Sequence, residues 1–198
     1  MGIGAIILCG GRSRRMGRSK ALLPFGPERM LQRVVRLVGE ACETTVVVAR
    51  PRQQLPDLPS AVHIARDRFA DLGPLEGIAM GLGQLPESVE AAYVTACDVP
   101  LLVPEFVRRM AELLGPHAIV VPHVGGFDHP LAAVYRRTVL AEVEALLAEG
   151  LRRPALLFER VPTRRVGRAE LADVDPELKS LANLNSAEDY RAALGREV

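Results

Sequence analysis

Residues 3–20 read IGAIILCGGRSRRMGRSK. The apolar run from Ile3 to Leu8 predicts a strand, and residues 8–20 that follow carry three glycines and five cations. Glycines let the backbone turn tightly and bring its N–H groups close to an oxyanion. Arg and Lys side chains add charge-assisted bonds to phosphate oxygens. A loop with both properties at the carboxyl end of a first strand predicts a polyphosphate site.

Apolar runs alternate with amphipathic segments along the rest of the chain. The predicted strands are Ala5–Leu8, Thr45–Ala49, Val62–Ala65, Ala92–Ala96, Ala118–Pro122, Leu131–Tyr135 and Arg164–Val166. The predicted helices are Pro27–Cys42, Leu75–Gln84, Pro104–Leu114, Thr138–Ala148, Pro154–Val161 and Ala187–Leu194, the last with a capping-box pattern at Ser186 and Asp189. This alternation predicts an α/β fold: one domain over residues 1–198, Rossmann-like, whose mostly parallel sheet has helices on both faces.

Composition limits the classes of protein to which the chain can belong. A net charge of +1 argues against a general nucleic-acid binder. No apolar run approaches the roughly 18 residues of a membrane span, and no signal peptide is visible. Cys9, Cys42 and Cys97 lack metal-ligand spacing and are expected to be reduced thiols. We therefore expect a cytoplasmic protein with neither nucleic acid nor membrane as a partner.

Two further loops at the carboxyl ends of predicted strands carry chemistry. Asp98 follows a fully apolar strand, where a carboxylate is costly unless it meets solvent or a cation. It is therefore the best-placed ligand for Mg²⁺, a hard cation that prefers oxygen, although a plain strand-end cap is the alternative. The loop DRFADLGPLEG at 67–77 ends in a Gly73-Pro74 turn that opens a helix, whose N-terminus favours anions. On its residues alone, this loop fits an ordinary loop-to-helix junction equally well.

The first loop lacks the Gly-Lys-Ser/Thr ending of a P-loop and the spaced glycines of a dinucleotide site. LCGGRSRRMGRSK instead resembles the signature of nucleotidyltransferases that transfer a nucleoside monophosphate from its triphosphate. The Gly10-Gly11 pair is similar to the molybdenum cofactor guanylyltransferase branch of that family. Family-like motifs follow in the expected order from Ala5 to about Leu194. The resemblance implies the fold of the nucleotide-diphospho-sugar transferases.

The resemblance also implies an activity and a site. GTP and molybdopterin would be the substrates, Mg²⁺ the cofactor, and pyrophosphate and the guanine dinucleotide cofactor the products. Transient contact with proteins that mature molybdenum enzymes is implied as well. The implied catalytic residues are Arg15, Lys20 and Asp98, with Asp98 as the metal ligand. The implied nucleotide-binding residues are Leu8, Cys9, Gly10, Gly11, Arg15, Lys20, Asp67, Gly73 and Asp98.

Three further residues are implied on the acceptor side. His129, in the segment GGFDHPL, is a candidate proton donor, although a packed turn is favoured by its residues alone. Arg153 is a candidate contact for the acceptor phosphate or a solvated helix end. Asn183 and Asn185 alternate, so a strand would point both amides to one face. Asn185 is the better ligand candidate, whereas Asn183 is equally suited to satisfying backbone groups.

One departure from the family pattern leaves the base selectivity open. The family often has Asn at the end of the second strand, where this chain has Ala49-Arg50-Pro51-Arg52. Arg50 and Arg52 are therefore candidate ligand contacts. The alternatives are a cytidylyltransferase or sugar-phosphate nucleotidyltransferase of the same fold, and a nucleotide-binding or cofactor-delivery protein without turnover. A nicotinamide dehydrogenase is disfavoured by the missing G-x-G-x-x-G.

Overall fold

The structure is a computed structural model, and it describes residues 2–10, 19–66 and 73–195. The strands in these ranges are β1 (Gly4–Leu8), β2 (Pro24–Phe25), β3 (Glu28–Arg29), β4 (Thr44–Ala49), β5 (Val62–Arg66), β6 (Ala91–Ala96), β7 (Ile119–Val124), β8 (Phe127–Asp128), β9 (Ala132–Arg136) and β10 (Thr163–Val166). The α-helices are α1 (Met30–Gly39), α2 (Pro74–Gly83), α3 (Pro104–Leu113), α4 (Leu140–Ala148) and α5 (Ala187–Leu194).

The main sheet has the strand order β10-β7-β9-β6-β1-β4-β5, and β8 forms a hairpin with β7. β1 is parallel to both of its neighbours, so that Leu8 is level with Val48 on one side and Ala96 on the other. β9 runs antiparallel to β6 and β7, a direction that the sequence pattern does not specify. The predicted α/β fold is confirmed. In such a sheet the ligand crevice is expected at the point where the strand order reverses, which is beside the carboxyl ends of β1 and β6.

Helices cover both faces of the sheet, as predicted. Residues of α1 and α3 pack in one apolar cluster and residues of α2 and α4 in another. β1 contributes to both because successive side chains of a strand point to opposite faces: Ile7 lies in the first cluster and Ile6 in the second. Burial on both sides accounts for the uninterrupted apolar runs of the central strands.

Two predicted elements are wrong in extent. The first helix spans Met30–Gly39 instead of Pro27–Cys42. It begins later than predicted because the chain forms a two-stranded ribbon, β2–β3, around Gly26 at φ +58°. The segment predicted as a short helix over Pro154–Val161 is a 3₁₀-helix over Pro154–Glu159. The remaining predicted helices lie within two residues of the observed bounds, and α5 has both ends as predicted.

In the part of the chain that the structure describes, no helix is both long and apolar enough to span a bilayer.

Candidate active site

A cation and a carboxylate meet in the crevice beside β1 and β6. The Lys20 ammonium lies 2.6 Å from Asp98 Oδ2. Asp98 follows β6 by two residues, and Lys20 is the first residue of a 3₁₀-helix over Lys20–Leu22. The side chain of Asp98 is 12% exposed and that of Lys20 is 16% exposed. The pair is therefore more shielded from solvent than an ordinary surface ion pair.

Two asparagines from the far end of the chain complete this group. The Asn183 amide Nδ2 donates to Asp98 Oδ1 at 3.0 Å, and the Lys20 ammonium donates to Asn185 Oδ1 at 3.0 Å. Leu184 between them is buried, and its backbone N–H donates to the Asp98 carbonyl at 2.9 Å. We call Lys20, Asp98, Asn183 and Asn185 the Lys20–Asp98 cluster.

The asparagine segment differs from its prediction in two respects. It is irregular and not a strand, although alternation still turns both amides toward the cluster. Asn183 bonds to a side-chain carboxylate, whereas the sequence assigned it equally well to backbone groups. The motif itself was visible in the sequence, but the partner, 85 residues away, was not.

A small apolar cluster places the asparagine segment. Leu184 packs with Phe25, Met30 and Ala193, which belong to β2, α1 and α5. α5 is fixed at its start by a reciprocal cap, in which Ser186 Oγ accepts from the Asp189 N–H at 3.0 Å. The Asp189 carboxylate in turn accepts from the backbone N–H of Ser186 and of Asn185. These bonds lower the pKa of the Asp189 carboxyl and hold the Asn185 backbone beside the cluster.

The phosphate-loop candidates begin directly after β1. Leu8 and Cys9 are buried, and Gly10 is exposed at the mouth of the loop. A hydrogen bond with the Cys97 thiol, together with burial, raises the pKa of Cys9 well above its usual value. Cys9 is therefore a neutral thiol, unsuited to act as a nucleophile or metal ligand. If Cys9 takes part in binding a phosphate, it does so through its backbone.

Three candidates, Gly11, Arg15 and Asp67, lie outside the described residues. Gly73 is at the N-cap of α2 with φ +88°, a conformation that favours glycine. A Cβ there would lie 3.4 Å from the Arg152 carbonyl oxygen, so the segment before Arg153 runs beside the Gly73 turn. Arg153 itself is exposed, and within the described residues no contact joins it to the Lys20–Asp98 cluster.

His129 is held by the hairpin that precedes it. Its Nε2 lies 3.3 Å from the Val124 carbonyl oxygen, and its backbone N–H donates to the Pro122 carbonyl at 2.9 Å. These contacts fit the packed turn. His129 and Asn183 both line a cavity of about 210 Å³. Because Asn183 belongs to the Lys20–Asp98 cluster, this cavity lies beside the cluster.

The loop after β4 contains a residue that the sequence did not single out. Gln53 donates from Nε2 to the Cys9 carbonyl at 3.1 Å, whereas the two candidates of that loop, Arg50 and Arg52, make no such contact. Arg50 keeps its buried Nε without a hydrogen-bond partner among the described residues, and Arg52 is exposed. No local pattern marks Gln53, because its role depends on a neighbouring strand.

The donor set of the cluster suits a divalent cation that is shared with a phosphate ligand. Asp98 uses one position on each carboxylate oxygen, toward Lys20 and Asn183, and each oxygen has a second lone pair. Within the described ranges no group of three or more His, Cys, Asp or Glu residues could hold a metal. Mg²⁺ commonly binds through one or two carboxylates, water and substrate phosphates, so a lone Asp98 is sufficient.

Comparison with known proteins identifies the family of the chain. Residues 5–163 match the family model described as the MobA-like NTP transferase domain. The chain belongs to this family. The MobA-like match contains all of β1 except Gly4, as well as Lys20 and Asp98, and it ends before the asparagine segment.

Curated relatives of this MobA-like protein cover almost the whole chain. A protein of Mycobacterium tuberculosis named "Probable molybdenum cofactor guanylyltransferase" is 36% identical over 196 residues, which is 97% of this chain and 93% of that one. A protein of Mycobacterium avium with the same name is 35% identical over 97% of this chain and 95% of its own.

Solved structures show the same fold. Molybdopterin-guanine dinucleotide biosynthesis protein A from Archaeoglobus fulgidus superposes with a TM-score of 0.80 at 22% identity, over 98% of both chains. A Mycobacterium tuberculosis protein solved in complex with manganese gives a TM-score of 0.67 at 16% identity, over 98% of this chain and 99% of that one.

Proposed function

We propose that this protein transfers GMP from GTP to the terminal phosphate of molybdopterin, giving the guanine dinucleotide cofactor and pyrophosphate. The observation that carries the proposal is the pairing of Lys20 with Asp98 beyond the adjoining ends of β1 and β6. An open α/β sheet binds its ligand at this place. Membership of the MobA-like family and the names of the curated relatives support guanine and molybdopterin as the substrates.

Phosphoryl transfer of this kind depends on positioning and charge stabilisation more than on covalent chemistry. The backbone of residues 8–11 cradles the triphosphate, while Arg15 and Lys20 neutralise its charge. A lysine ammonium has three donors, and Lys20 uses two on Asp98 and Asn185. Among the described residues the third has no partner, and we assign it to a phosphate oxygen. The attacking molybdopterin phosphate is already ionised, so in-line attack at the α-phosphorus requires no general base.

Mg²⁺ is the proposed cofactor, with Asp98 as its protein ligand. When bound, it offsets negative charge on the triphosphate and on the departing pyrophosphate. Lys20 and Asn183 hold the two Asp98 oxygens in fixed directions, which orients this ligand in advance. The buried position of Asp98 also keeps competing water away from the carboxylate.

The remaining candidates divide between the two substrates. We assign Asp67 and Gly73 to the base or ribose side of the proposed GTP site. His129, Arg153 and Asn185 are assigned to the acceptor side. The cavity that His129 and Asn183 line supports the assignment of His129, because Asn183 bonds to Asp98 and so connects this cavity with the cluster.

A cytidylyltransferase is the second candidate, because the residue that departs from the family pattern does not select between cytosine and guanine. Arg50 stands where the family often has Asn, and its buried Nε lacks a hydrogen-bond partner within the described ranges. A buried donor in that state is costly and can be satisfied by an acceptor on a ligand. The carbonyl group of cytosine or of guanine would supply such an acceptor.

We also propose that the enzyme acts in the cytoplasm and makes transient contact with proteins that mature molybdenum enzymes. The three free cysteines suit a reducing compartment.

The test has two stages. Calorimetry with GTP, CTP, ATP and UTP, with and without Mg²⁺, should give tightest binding for GTP with the metal. Asp98→Ala should remove the metal dependence, whereas Asp173→Ala, a change at an exposed carboxylate that pairs with Arg109, should not. Radiolabel from [α-³²P]GTP should then appear in molybdopterin. Preference for CTP would transfer the assignment to cytidylyl transfer, and binding without transfer would leave a nucleotide-binding protein.

A further inference from the structure

The loop after β4 turns sharply at residues 50–53. The Gln53 N–H donates to the Arg50 carbonyl at 3.1 Å, which closes a four-residue turn with Pro51 at its second position. Arg52, at the third position, has φ +57°. Proline followed by a positive φ is typical of a type II turn, where the third residue is usually glycine or asparagine. An arginine in this conformation costs about 1 kcal/mol or more, so neighbouring contacts must stabilise the turn.

The Gln53 side chain bridges this turn to β1. Its Oε1 accepts from the Arg50 N–H at 3.1 Å, and its Nε2 donates to the Cys9 carbonyl at 3.1 Å. The Cys9 N–H in turn donates to the Val48 carbonyl in β4 at 2.8 Å. Both polar backbone groups of Cys9 are therefore held from β4 and its turn.

Arg66 fixes the turn from the other side. Its Nη1 donates to the Arg50 carbonyl at 3.1 Å and to the Gln53 carbonyl at 2.7 Å. Arg66 ends β5, which pairs with β4 on the side away from β1. Three neighbouring strands are thus connected at their carboxyl ends through the backbone and side chain of Gln53.

The bond to Cys9 has a consequence for the next residue. The Cys9 carbonyl and the Gly10 N–H belong to one planar trans peptide unit, so they point in opposite directions. Fixing the carbonyl toward Gln53 therefore directs the Gly10 N–H away from the β4 turn. Among the described residues the Gly10 N–H has no acceptor, which leaves it free for an oxyanion.

We infer that Gln53 is a positioning residue for phosphate binding, acting through the Cys9–Gly10 peptide and making no contact with the substrate. The inference rests on the proposed function, because it requires a phosphate opposite Gly10. A rotated peptide would present the Cys9 carbonyl oxygen to the phosphates, and that oxygen would repel them.

Gln53→Glu tests this role with a change of one group. The carboxylate keeps an acceptor for the Arg50 N–H but places an oxygen against the Cys9 carbonyl in place of the donor. Gln54→Glu is the matched control, since it makes the same change at the adjacent, exposed residue. Gln53→Met removes both polar groups of the amide and keeps a side chain of similar size. This variant replaces Gln53→Glu in the test if the carboxylate prevents folding.

The measurement is the ratio of affinities for a nucleoside triphosphate and for its nucleoside, with the base that the unmodified protein prefers. We expect Gln53→Glu and Gln53→Met to lower this ratio by about tenfold, the loss of one hydrogen bond to a charged group, and Gln54→Glu to leave it unchanged. Preference among the four bases should persist in all variants. General loosening of the fold would instead weaken triphosphate and nucleoside alike.

Three results would overturn the inference. An unchanged ratio in folded Gln53 variants would show that the peptide direction does not matter. Altered base preference would make Gln53 a base contact. A ratio near one in the unmodified protein would remove the phosphate site and the proposed function with it, and this failure is recognisable because it precedes any substitution. Preference for a base other than guanine changes the proposed function alone, since the ratio is then measured with that base.

Discussion

The Lys20 ammonium lies 2.6 Å from Asp98 Oδ2, although 78 residues separate the two in the chain. The pair joins the loop that follows β1 to the end of β6. Both side chains are mostly shielded from water, so each charge depends on the other. Removing one partner leaves the second uncompensated in a partly buried position.

Replacing either partner should abolish most turnover without unfolding the protein. We expect Lys20→Ala and Asp98→Ala to lower kcat for GMP transfer by on the order of 100-fold or more, because each removes charge stabilisation in the reacting complex. Lys179→Ala is the control, since Lys179 is a partly exposed lysine that pairs with Glu177. Steady-state kinetics, with circular dichroism to verify folding, measures the effect. A folded Asp98→Ala protein with near-normal turnover would contradict the metal assignment.

Asn183 should control the response to Mg²⁺. Asn183→Ala removes the hydrogen bond to Asp98 Oδ1 and so allows the Asp98 carboxylate to rotate. Loss of such an orienting contact typically weakens metal affinity by about 10- to 100-fold. The measurement is turnover as a function of Mg²⁺ concentration. Asn185→Ala is the comparison, because its amide contacts Lys20 and not the carboxylate, so its metal dependence should change less. Identical Mg²⁺ curves for Asn183→Ala and the unmodified protein would refute the orienting role.

Two glycines of α2 should respond oppositely to alanine. A Cβ on Gly81 would lie 2.4 Å from Ile6 Cγ2 in β1, so α2 would have to move away from the sheet. We expect Gly81→Ala to lower the free energy of unfolding by about 1–3 kcal/mol. A Cβ on Gly83 meets nothing within 4 Å, and Gly83→Ala should be neutral or stabilising by up to about 1 kcal/mol. Urea denaturation of both variants tests the pair; equal effects would contradict the close packing.

Alkaline pH should destabilise the fold partly through Cys42. Burial raises the pKa of this thiol from 9.0 to about 12. The unfolded chain therefore releases the Cys42 proton at lower pH than the folded protein does. The stabilisation is complete below pH 9 and is lost as pH rises from 9 toward 12, with a slope of at most about 1.4 kcal/mol per pH unit.

Cys42→Ala separates the contribution of this thiol from those of other groups that titrate at alkaline pH. Denaturation at pH 8, 9 and 10 should show a shallower decline in the free energy of unfolding for the variant than for the unmodified protein. Parallel declines would show that Cys42 does not contribute.

The local sequence pattern was sufficient to predict most of the fold. The apolar runs at Ile6 and Val94 predicted buried strands because both faces of the sheet are covered by helices. The direction of β9 was not predictable, since its apolar residues would pack in the same way in either orientation. The start of α1 was misplaced because proline fits a first helical turn as well as the turn before β3.

The candidate site was predictable where one residue type carries the chemistry. Asp98 and Lys20 were visible as a carboxylate after a buried strand and a cation after a glycine loop. Asn183 and Gln53 were not assigned their contacts, because each bonds to a group far away in the chain, at Asp98 and Cys9 respectively. Amides fit loops and caps so readily that their presence alone specifies no partner.

The bond from the Leu184 N–H to the Asp98 carbonyl makes the site depend on the segment that follows β10. A ribosome that has translated through β10 has produced every strand of the sheet but neither of the two amides that meet Lys20 and Asp98. That nascent chain also lacks Leu171, Leu178 and Leu184, so the segment after β10 supplies part of the apolar core together with the partners of the ion pair. A protein truncated after β10 would therefore lose core packing and the two amides that orient Lys20 and Asp98 at the same time.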